Sequence, residues 1–268
     1  MAQTYAIRGG QSGRERLRVL SHVQQAGTFD FLDKLGVRPG NACLDVGCGG
    51  GDVARELARR VGTMGRVVGL DRDAAQLQIV RDETAAQNIH NIDYRVADVA
   101  KPPSDLGSFD LVYTRFLLCH LNNPGEALSW MVQCLAPGGV LAVEDMDLSG
   151  IFCHPPLPEF DRHVALVGEI IRRRGGDPLI GLKLPRMLIE SGLSIGGVAV
   201  AHPSDIDGDV KPLSALTMEN IADAVVSDGL ATRGEADQLI AKLYECARDR
   251  RTFASDIRRI QVWGRRPH

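Results

Sequence analysis

Short apolar runs alternate with helix-like stretches between residues 40 and 150. Each run has the length of a buried strand, and the stretches between the runs place apolar residues at helical spacing. The trio Pro137-Gly138-Gly139 marks one sharp break, because proline and glycine end helices and make turns. We predict strands at residues 42–47, 66–71, 91–98, 109–116 and 140–147, and helices at residues 12–35, 52–61, 74–87 and 124–135.

Strands that alternate with helices at this spacing favour a parallel sheet with helices on both faces. Such sheets bind ligands beyond the carboxyl ends of their strands. The functional residues are therefore expected just after each strand. The positions indicated in this way are Gly47, Asp71, Asp98, residues 114–120 and residues 144–147.

The alternation changes after Asp147, where a proline-rich break, CHPPLPEF, begins at Cys153. Beyond the break we predict helices at residues 158–174, 182–191, 214–228 and 233–250, and strands at residues 194–202 and 257–267. We expect four parts: an N-terminal helical lid segment (1–40), a ligand-binding core (41–150), a helical cap insertion (151–193), and the C-terminal part of the core sheet with inserted helices (194–268).

Composition narrows the class of protein. The 268 residues are 44% apolar, enough for a sizeable core, and carry a net charge of −3. This acidic balance argues against a nucleic-acid partner, and no apolar run approaches the roughly 18 residues that span a bilayer. The N-terminal stretch lacks the apolar segment of a signal peptide, and six cysteines without a C-x-x-C pair are typical of reduced thiols. We expect a cytoplasmic monomer or homodimer with neither a nucleic-acid nor a membrane partner.

The stretch CLDVGCGGGDVARELARR, from Cys43 to Arg60, is the strongest local signal. A strand enters four glycines in five positions and a helix follows, an arrangement that holds small ligands in α/β proteins. A P-loop is excluded, because no lysine and hydroxyl residue follow the turn. A dinucleotide site stays open, since residues 49–54 satisfy G-x-G-x-x-A and Asp71 lies 20 residues past Gly51.

Asp45 bears on the choice of ligand, because it ends the strand two residues before the first turn glycine. A diphosphate needs bare amides and the positive end of the helix, and a nearby carboxylate would repel it. A ligand with a cationic amino group would be attracted instead. S-adenosylmethionine has such an amine, a carboxylate for the helix N-terminus, and no phosphate.

The chain resembles the class I S-adenosylmethionine-dependent methyltransferases, in their small-molecule branch. The resemblance starts with D-x-G-x-G-x-G at Asp45–Gly51 and continues through GLD, VADV, FDLVYTRFLLCHL and LAPGGVLAVED, in family order from about residue 40 to 147. The last strand, IRRIQVWGRRP, also fits. The resemblance implies a Rossmann-like, doubly wound α/β fold with a seven-stranded, mostly parallel sheet, an antiparallel last strand and a helical lid.

The resemblance also implies roles for residues at the strand ends. Asp71 would accept hydrogen bonds from the ribose hydroxyls, with Arg72 beside the adenine. Asp98 would accept from the adenine amino group, and the Val99 amide would face a ring nitrogen. The residues implied for the cofactor S-adenosylmethionine, and for its product S-adenosylhomocysteine, are Asp45, Gly47, Cys48, Gly49, Gly51, Asp71, Arg72, Asp98, Val99, Thr114 and Arg115.

Methyl transfer from a sulfonium needs an oriented nucleophile, and a base only where the nucleophile must lose a proton. His120, after the fourth strand, and Glu144 and Asp145, at the end of the fifth, are the candidate catalytic bases. The predicted substrate-side residues are Tyr5, Arg16, Asp147 and His154.

Metal-dependent catechol-type O-methyltransferases place a carboxylate after the fourth strand, where this chain has Arg115, so we expect no metal. The turn there also lacks the Asn/Asp-Pro-Pro-aromatic sequence of adenine and amide N-methylating enzymes. The predicted acceptor is a small molecule, a secondary metabolite or quinone-like precursor, and O-, N- and C-methylation all stay open. The alternatives are an NAD-dependent oxidoreductase and a cofactor-binding protein without methyl transfer activity.

Overall fold

A single seven-stranded sheet organises the protein in the computed structural model, which describes residues 10–267 and side chains from residue 16 onward. The strands in chain order are Ala42–Val46 (β1), Arg66–Asp71 (β2), Ile92–Val96 (β3), Phe109–Arg115 (β4), Leu135–Asp147 (β5), Cys153–His154 (β6), Ser194–Ala201 (β7), Ser204–Asp205 (β8), Phe253–Ser255 (β9) and Arg258–Arg265 (β10). The large sheet has the order β3-β2-β1-β4-β5-β10-β7, and β10 pairs antiparallel with both of its neighbours.

Eight α-helices accompany these strands within residues 10–267. They are Gly10–Leu35 (α1), Asp52–Val61 (α2), Ala74–Ala86 (α3), Pro124–Gln133 (α4), Pro158–Arg173 (α5), Ile180–Glu190 (α6), Pro212–Ser227 (α7) and Arg233–Arg248 (α8). Helices α5, α7 and α8 pack on one another, and α1 packs against α7. These four helices form a layer that extends beyond the sheet.

Both faces of the sheet are buried, because successive strand residues point to opposite sides. Cys43 packs with the side chains of α2 and of the C-terminal part of α1, while its neighbour Leu44 packs in a second core with α4 and α6. Neither residue is exposed to solvent. The expected doubly wound α/β fold, with one antiparallel strand at the chain's end, is confirmed.

The element boundaries follow the sequence pattern with two differences. Strand β5 begins at Leu135, five residues before the prediction, because an irregular pairing with β4 runs through the Pro-Gly-Gly turn. A second sheet of three strands, in the order β6-β9-β8, was not predicted. Its strands have two or three residues each, too few for a periodic signal.

The six cysteines carry free thiols, five of them buried and Cys153 partly exposed. No helix of the described chain is both long enough and apolar enough to cross a bilayer. Within residues 10–267, no three His, Cys, Asp or Glu side chains come together as a metal-binding group.

Candidate functional site

A cavity of about 440 Å³ opens at the carboxyl ends of β1, β2 and β4. This volume is within the usual range for small-molecule sites. One wall comes from the strand ends and the glycine turn of residues 45–53, with residues 70–76 and 97–99. We name it the turn wall. The opposite wall, the helix wall, comes from α1, α5 and α7 with residues 116–121, Trp130, Met146 and Ile257.

The glycine turn is shaped by residues with positive φ. Gly47, Gly49 and Gly51 have φ angles of 75°, 49° and 69°, where residues other than glycine are strained. A Cβ on Gly51 would lie 2.4 Å from a Val80 methyl group, whereas a Cβ on Gly50 would meet nothing within 4 Å. Gly51 is therefore needed to pack α2 against α3, and Gly50 leaves open space on the cavity side.

Asp45 lines the turn wall and is only 2% exposed. Burial raises the pKa of its carboxyl group to about 8, and the charges of Asp52 and Asp71 add to that rise against an opposing effect of Arg115. Its Oδ2 atom is buried and has no hydrogen-bond partner among the described residues. A buried carboxylate oxygen without a donor is costly, so this atom is suited to a cationic donor supplied by a ligand.

Arg115 connects three elements beside the turn. Its Nη2 donates to Asp52 Oδ2 at 2.7 Å at the start of α2, and its Nη1 donates to Thr28 Oγ1 of α1 at 3.0 Å. Burial alone would raise the pKa of Asp52, but the Arg115 charge and hydrogen bond hold it below its usual value. Arg115 thus borders the cavity as predicted, and its charge is balanced by Asp52.

Asp71, Arg72, Asp98 and Val99, four of the residues predicted to bind the cofactor, all line the turn wall. Asp71 accepts backbone hydrogen bonds from Gly49 at 2.9 Å and from Asp73 at 3.0 Å, so its carboxylate is fixed against the turn. Asp98 is more exposed and accepts from the Ala100 amide at 2.9 Å. Their assigned ligand contacts remain predictions, but the fold brings the side chains to one edge.

His120 lies in a single 3-10 turn after β4 and lines the helix wall. Burial lowers its pKa to about 3, and the charges of Arg16 and Arg72 add to the lowering. The imidazole is therefore neutral at physiological pH and can accept a hydrogen bond, but so low a pKa makes it a weak proton acceptor. Arg16, predicted on the substrate side, lines the same wall.

Glu144 does not line the cavity, contrary to the expectation of a base at the end of β5. Its Oε2 accepts from Gln261 Nε2 at 2.7 Å and from Arg259 Nη1, and Tyr113 donates its hydroxyl to Oε1. Glu144 and Arg259 are fully buried, and Arg259 also donates to Thr28 Oγ1 at 2.8 Å. This network ties α1 to the sheet, so we do not propose Glu144 as a catalytic residue.

Asp145 and Asp147 also point away from the cavity. Asp145 is fully buried and accepts from the Cys119 and Met146 amides, while burial raises its pKa to about 6. Asp147 forms an ion pair with Arg258 and accepts from Ser149. Both acids hold backbone segments in place, and sequence alone did not reveal these partners.

Three further predicted residues are absent from the cavity lining, and one is outside the described part of the chain. The Thr114 hydroxyl is buried and donates to the Val46 carbonyl at 2.8 Å. His154 is exposed in the small sheet, and Gly51 is buried between α2 and α3. Tyr5 precedes residue 10 and is therefore not placed.

The structure adds residues to which the sequence analysis gave no individual role, although Phe116 and Met146 fall within the strand-end stretches that it indicated. Phe116 follows β4 with a φ of 52° and lines the cavity, a strained conformation of the kind that clusters at functional sites. Trp130, Met146 and Ile170 contribute apolar surface from three different elements. No local pattern marks these positions, because each lies in an ordinary apolar run of its own element.

The chain is similar to known proteins in both sequence and structure. A family profile described as "Methyltransferase domain" matches residues 44–143. The chain is 30% identical over 185 residues to an uncharacterized 37.1 kDa protein in a transposon of Streptomyces fradiae, which spans 66% of this chain and 52% of that protein. It is 37% identical over 113 residues to the ubiquinone/menaquinone biosynthesis C-methyltransferase UbiE of Hydrogenovibrio crunogenus, which spans 42% of this chain and 44% of UbiE. The chain thus spans about half the length of the curated relatives it matches.

Among solved structures, a candidate methyltransferase from Bacillus halodurans superimposes with a TM-score of 0.62. The match covers 89% of this chain and 98% of that protein, at 19% sequence identity. At this identity the similarity shows the fold alone.

Proposed function

We propose that the chain is a class I S-adenosylmethionine-dependent methyltransferase and that it transfers a methyl group from S-adenosylmethionine to a small-molecule acceptor. The observation that carries the proposal is the buried, unpartnered Oδ2 atom of Asp45 at the glycine turn. A ligand with an ammonium group would supply the missing donor. The residues present therefore fit an amino-acid-bearing cofactor.

The turn wall would hold the cofactor through this chain's own groups. Asp45 would accept from its amino group, Asp71 from its ribose, and Asp98 from its adenine. The open space at Gly50 lets the ligand approach the backbone closely. When bound, S-adenosylmethionine supplies an electrophilic methyl group on a positively charged sulfonium.

The helix wall would orient the acceptor and exclude water, which can contribute on the order of 7–11 kcal/mol to such a reaction. His120 lines this wall and stays the candidate base, but its lowered pKa makes it a weak proton acceptor in the free protein. It can accept a hydrogen bond from the acceptor, and it takes up a proton only if a bound ligand raises its pKa. An acceptor that is already deprotonated needs no base.

The alternative of an NAD-dependent oxidoreductase is disfavoured by the same atom. A diphosphate at the turn would lie beside Asp45, with Asp52 and Asp71 close enough to raise its pKa. Asp45 and Asp71 disfavour an anionic bridge and favour a cation, whereas Asp52 is already balanced by Arg115. A cofactor-binding protein without methyl transfer remains the second candidate.

For the acceptor we propose a secondary metabolite or quinone-like molecule. The similarity to UbiE supports the quinone-like class and C-methylation, but it covers less than half of either chain. We further propose that the protein acts as a monomer or homodimer in the cytoplasm, without a nucleic-acid partner.

The first experiment separates these functions by ligand binding and turnover. Calorimetric titration of the protein with S-adenosylhomocysteine and with NAD should show binding of the former alone. Incubation with methyl-labelled S-adenosylmethionine and a metabolite extract, followed by mass spectrometry, should show label in a small molecule. Tight NAD binding without S-adenosylhomocysteine binding would refute the proposal, and cofactor binding without any labelled product would favour the non-enzymatic candidate.

A further inference from the structure

The two edges of the seven-stranded sheet differ in how they are protected. Strand β3 forms one edge and β7 forms the other. On β3, Asp93 and Arg95 form an exposed ion pair, and Arg81 of α3 donates to the carbonyl oxygen of Tyr94 at 2.6 Å. Charged side chains of this kind keep a strand edge from pairing with another chain. The β3 edge is therefore blocked.

Strand β7 has no such protection. Its sequence, SIGGVAVA from Ser194 to Ala201, contains neither a charged residue nor a proline. It pairs with β10 on one side, and in the part of the chain that the structure describes its backbone makes no further hydrogen bonds. A free edge presents unpaired N–H and C=O groups, which are a template for another extended strand.

The regular part of β7 is the segment from Gly197 to Ala201. The pairing with β10 shifts its register between Trp263 and Gly264, which leaves Gly196 outside the ladder as a bulge. From Gly197 onward the register is continuous. A further strand would therefore pair with these five residues.

Two exposed valines border this segment on one face of the sheet. Val198 and Val200 lie opposite Val262 and Ile260 of β10, so all four side chains point to the same face. Val262 and Ile260 are buried in the core that includes α6, whereas Val198 and Val200 are 51% and 58% exposed. The apolar core on this face thus continues to the sheet edge, where it meets solvent.

Exposed apolar residues concentrate at this end of the molecule. Nine large apolar side chains of the described chain are exposed, and five of them belong to α6 and β7, which pack together. These five are Leu182, Ile189, Ile195, Val198 and Val200. Clusters of exposed apolar residues mark interaction surfaces.

The sequence of the edge fits a second copy of the same strand. Two copies of β7 related by a two-fold axis at Ala199 run antiparallel, and Val198 then lies opposite Val200 of the second copy. Near such an axis each residue meets itself or a close neighbour, so a charged residue would face a like charge. An uncharged strand is therefore what self-association requires, whereas a partner of different sequence would allow charges here.

We propose that two copies of this chain form a homodimer by antiparallel pairing of β7 with β7, centred on Ala199. The two sheets then form one continuous sheet, and Val198 and Val200 are buried between the protomers. The cavity opens at β1, β2 and β4, and β5 and β10 separate these strands from β7. Each protomer thus retains its own cavity, and the inference does not depend on the proposed function.

The mass of the full chain in solution tests the dimer directly. Sedimentation velocity and light scattering at micromolar concentrations should give twice the 29.1 kDa of one chain. Val200→Lys places two lysines beside the axis and should raise the dimer dissociation constant at least about tenfold. Val96→Lys is the matched control, because it makes the same change at a 53% exposed valine of the other edge strand, and it should leave the dissociation constant unchanged.

A cysteine variant tests the register without adding charge. Ala199→Cys places two thiols opposite each other at the axis, so a short bismaleimide should join two chains into one band on a denaturing gel. Met64→Cys, at an 88% exposed position between α2 and β2, should give no such band. The wild-type protein controls for the six native cysteines.

A wild-type protein that is monomeric at every concentration would overturn the proposal, and another segment or another protein would then be the occupant of the edge. A dimer that survives Val200→Lys, or that Ala199→Cys does not cross-link, would also overturn it, because the contact would then lie elsewhere or in another register. Circular dichroism checks that Val200→Lys folds. If it does not fold, the wild-type mass and the Ala199→Cys cross-link decide the question.

Discussion

The turn wall and the helix wall of the cavity differ in how the chain builds them. The turn wall comes from strand ends and loops between residues 45 and 99, where each functional residue follows a strand or opens a helix. The helix wall brings together α1, α5 and α7, and its Arg16–Thr217 hydrogen bond spans 201 positions of sequence. One wall follows from local sequence, and the other exists only after folding.

The comparison also separates two kinds of buried acid. Asp45 and Glu144 both lie near the ends of sheet strands and are almost fully buried. Glu144 has an arginine, a glutamine and a tyrosine as donors, whereas one oxygen of Asp45 has none. An acid whose oxygens all have donors within the protein stabilises the fold. An acid at a cavity with an oxygen that lacks a donor is suited to bind a ligand.

The largest expected effect comes from breaking the connection between the helix wall and the sheet. Glu144→Ala leaves Arg259 buried without its carboxylate, and loss of one partner of a buried ion pair costs about 3–5 kcal/mol. We expect a lower free energy of unfolding in urea by this amount, with α1 released from the sheet. Because α1 also lines the helix wall of the cavity, the binding of a small molecule at this wall should weaken as well.

The control for Glu144 is the exposed ion pair of α6. Arg186 and Glu190 have side chains that are 84% and 58% exposed, and such pairs contribute about 0–1 kcal/mol. Glu190→Ala should therefore unfold within about 0.5 kcal/mol of the wild type. Similar losses for the two variants would show that the Glu144 network does not anchor the helix wall.

Two neighbouring glycines of the turn, Gly50 and Gly51, separate effects on stability from effects on ligand binding. Gly51→Ala forces a Cβ against Val80 and keeps a positive φ, so it should destabilise the protein by about 2–4 kcal/mol. Gly50→Ala meets no atom of the protein and should leave the urea midpoint nearly unchanged. It should instead weaken S-adenosylhomocysteine binding, measured by calorimetry, because the new methyl group occupies the cavity.

Sequence could predict the turn wall because its signals are local. The residues Asp45, Asp71 and Asp98 each follow an apolar run, so the strand pattern alone places them at one sheet edge. The seven-stranded, mostly parallel sheet and its antiparallel last strand followed from the family resemblance.

The acids of β5 show why the remaining site residues could not be predicted from the sequence. In the sequence, VEDMD places three carboxylates at a strand end, and nothing there distinguishes them from Asp45 as ligand-binding acids. Glu144 and Asp147 pair with Arg258, Arg259 and Gln261, which lie more than 100 residues later on the antiparallel strand β10. Asp145 instead accepts from the Cys119 and Met146 amides. The register between β5 and β10 therefore decides that Glu144 and Asp147 have partners within the protein.

Asp45 should control binding through its protonation. With a pKa of about 8 it is largely protonated at pH 7 in the free protein, and it must ionise to pair with an ammonium group. Binding of S-adenosylhomocysteine should release about one proton per site at pH 7 and strengthen as the pH rises from 6 to 8.5. Calorimetry in buffers of different ionisation enthalpy measures the release. Asp45→Asn should abolish it and lower the affinity by on the order of 10–100-fold.

The same carboxyl group should affect stability in the opposite direction. Its folded-state pKa exceeds the unfolded value of about 3.9, so the free protein loses stability as the pH rises from about 4 to 8. Asp45→Asn should therefore be more stable than the wild type in urea at pH 8.5 without ligand. Proton release that persists in the variant, or a wild type that is more stable at that pH, would contradict the assigned role of Asp45.

The smallest expected effect separates the two outer acids of the turn wall. Asp98 is exposed, and a hydrogen bond there is weakened by competing water, so Asp98→Ala should reduce S-adenosylhomocysteine affinity by about 0.5–1 kcal/mol. Asp71 is held against the turn by two backbone amides, and Asp71→Ala should cost about 1.5–3 kcal/mol of affinity. Calorimetry on both variants gives the order directly. A larger loss of affinity in Asp98→Ala than in Asp71→Ala would contradict this order. It would mean that the exposed end of the turn wall contributes more to binding than the buried acids near the glycine turn.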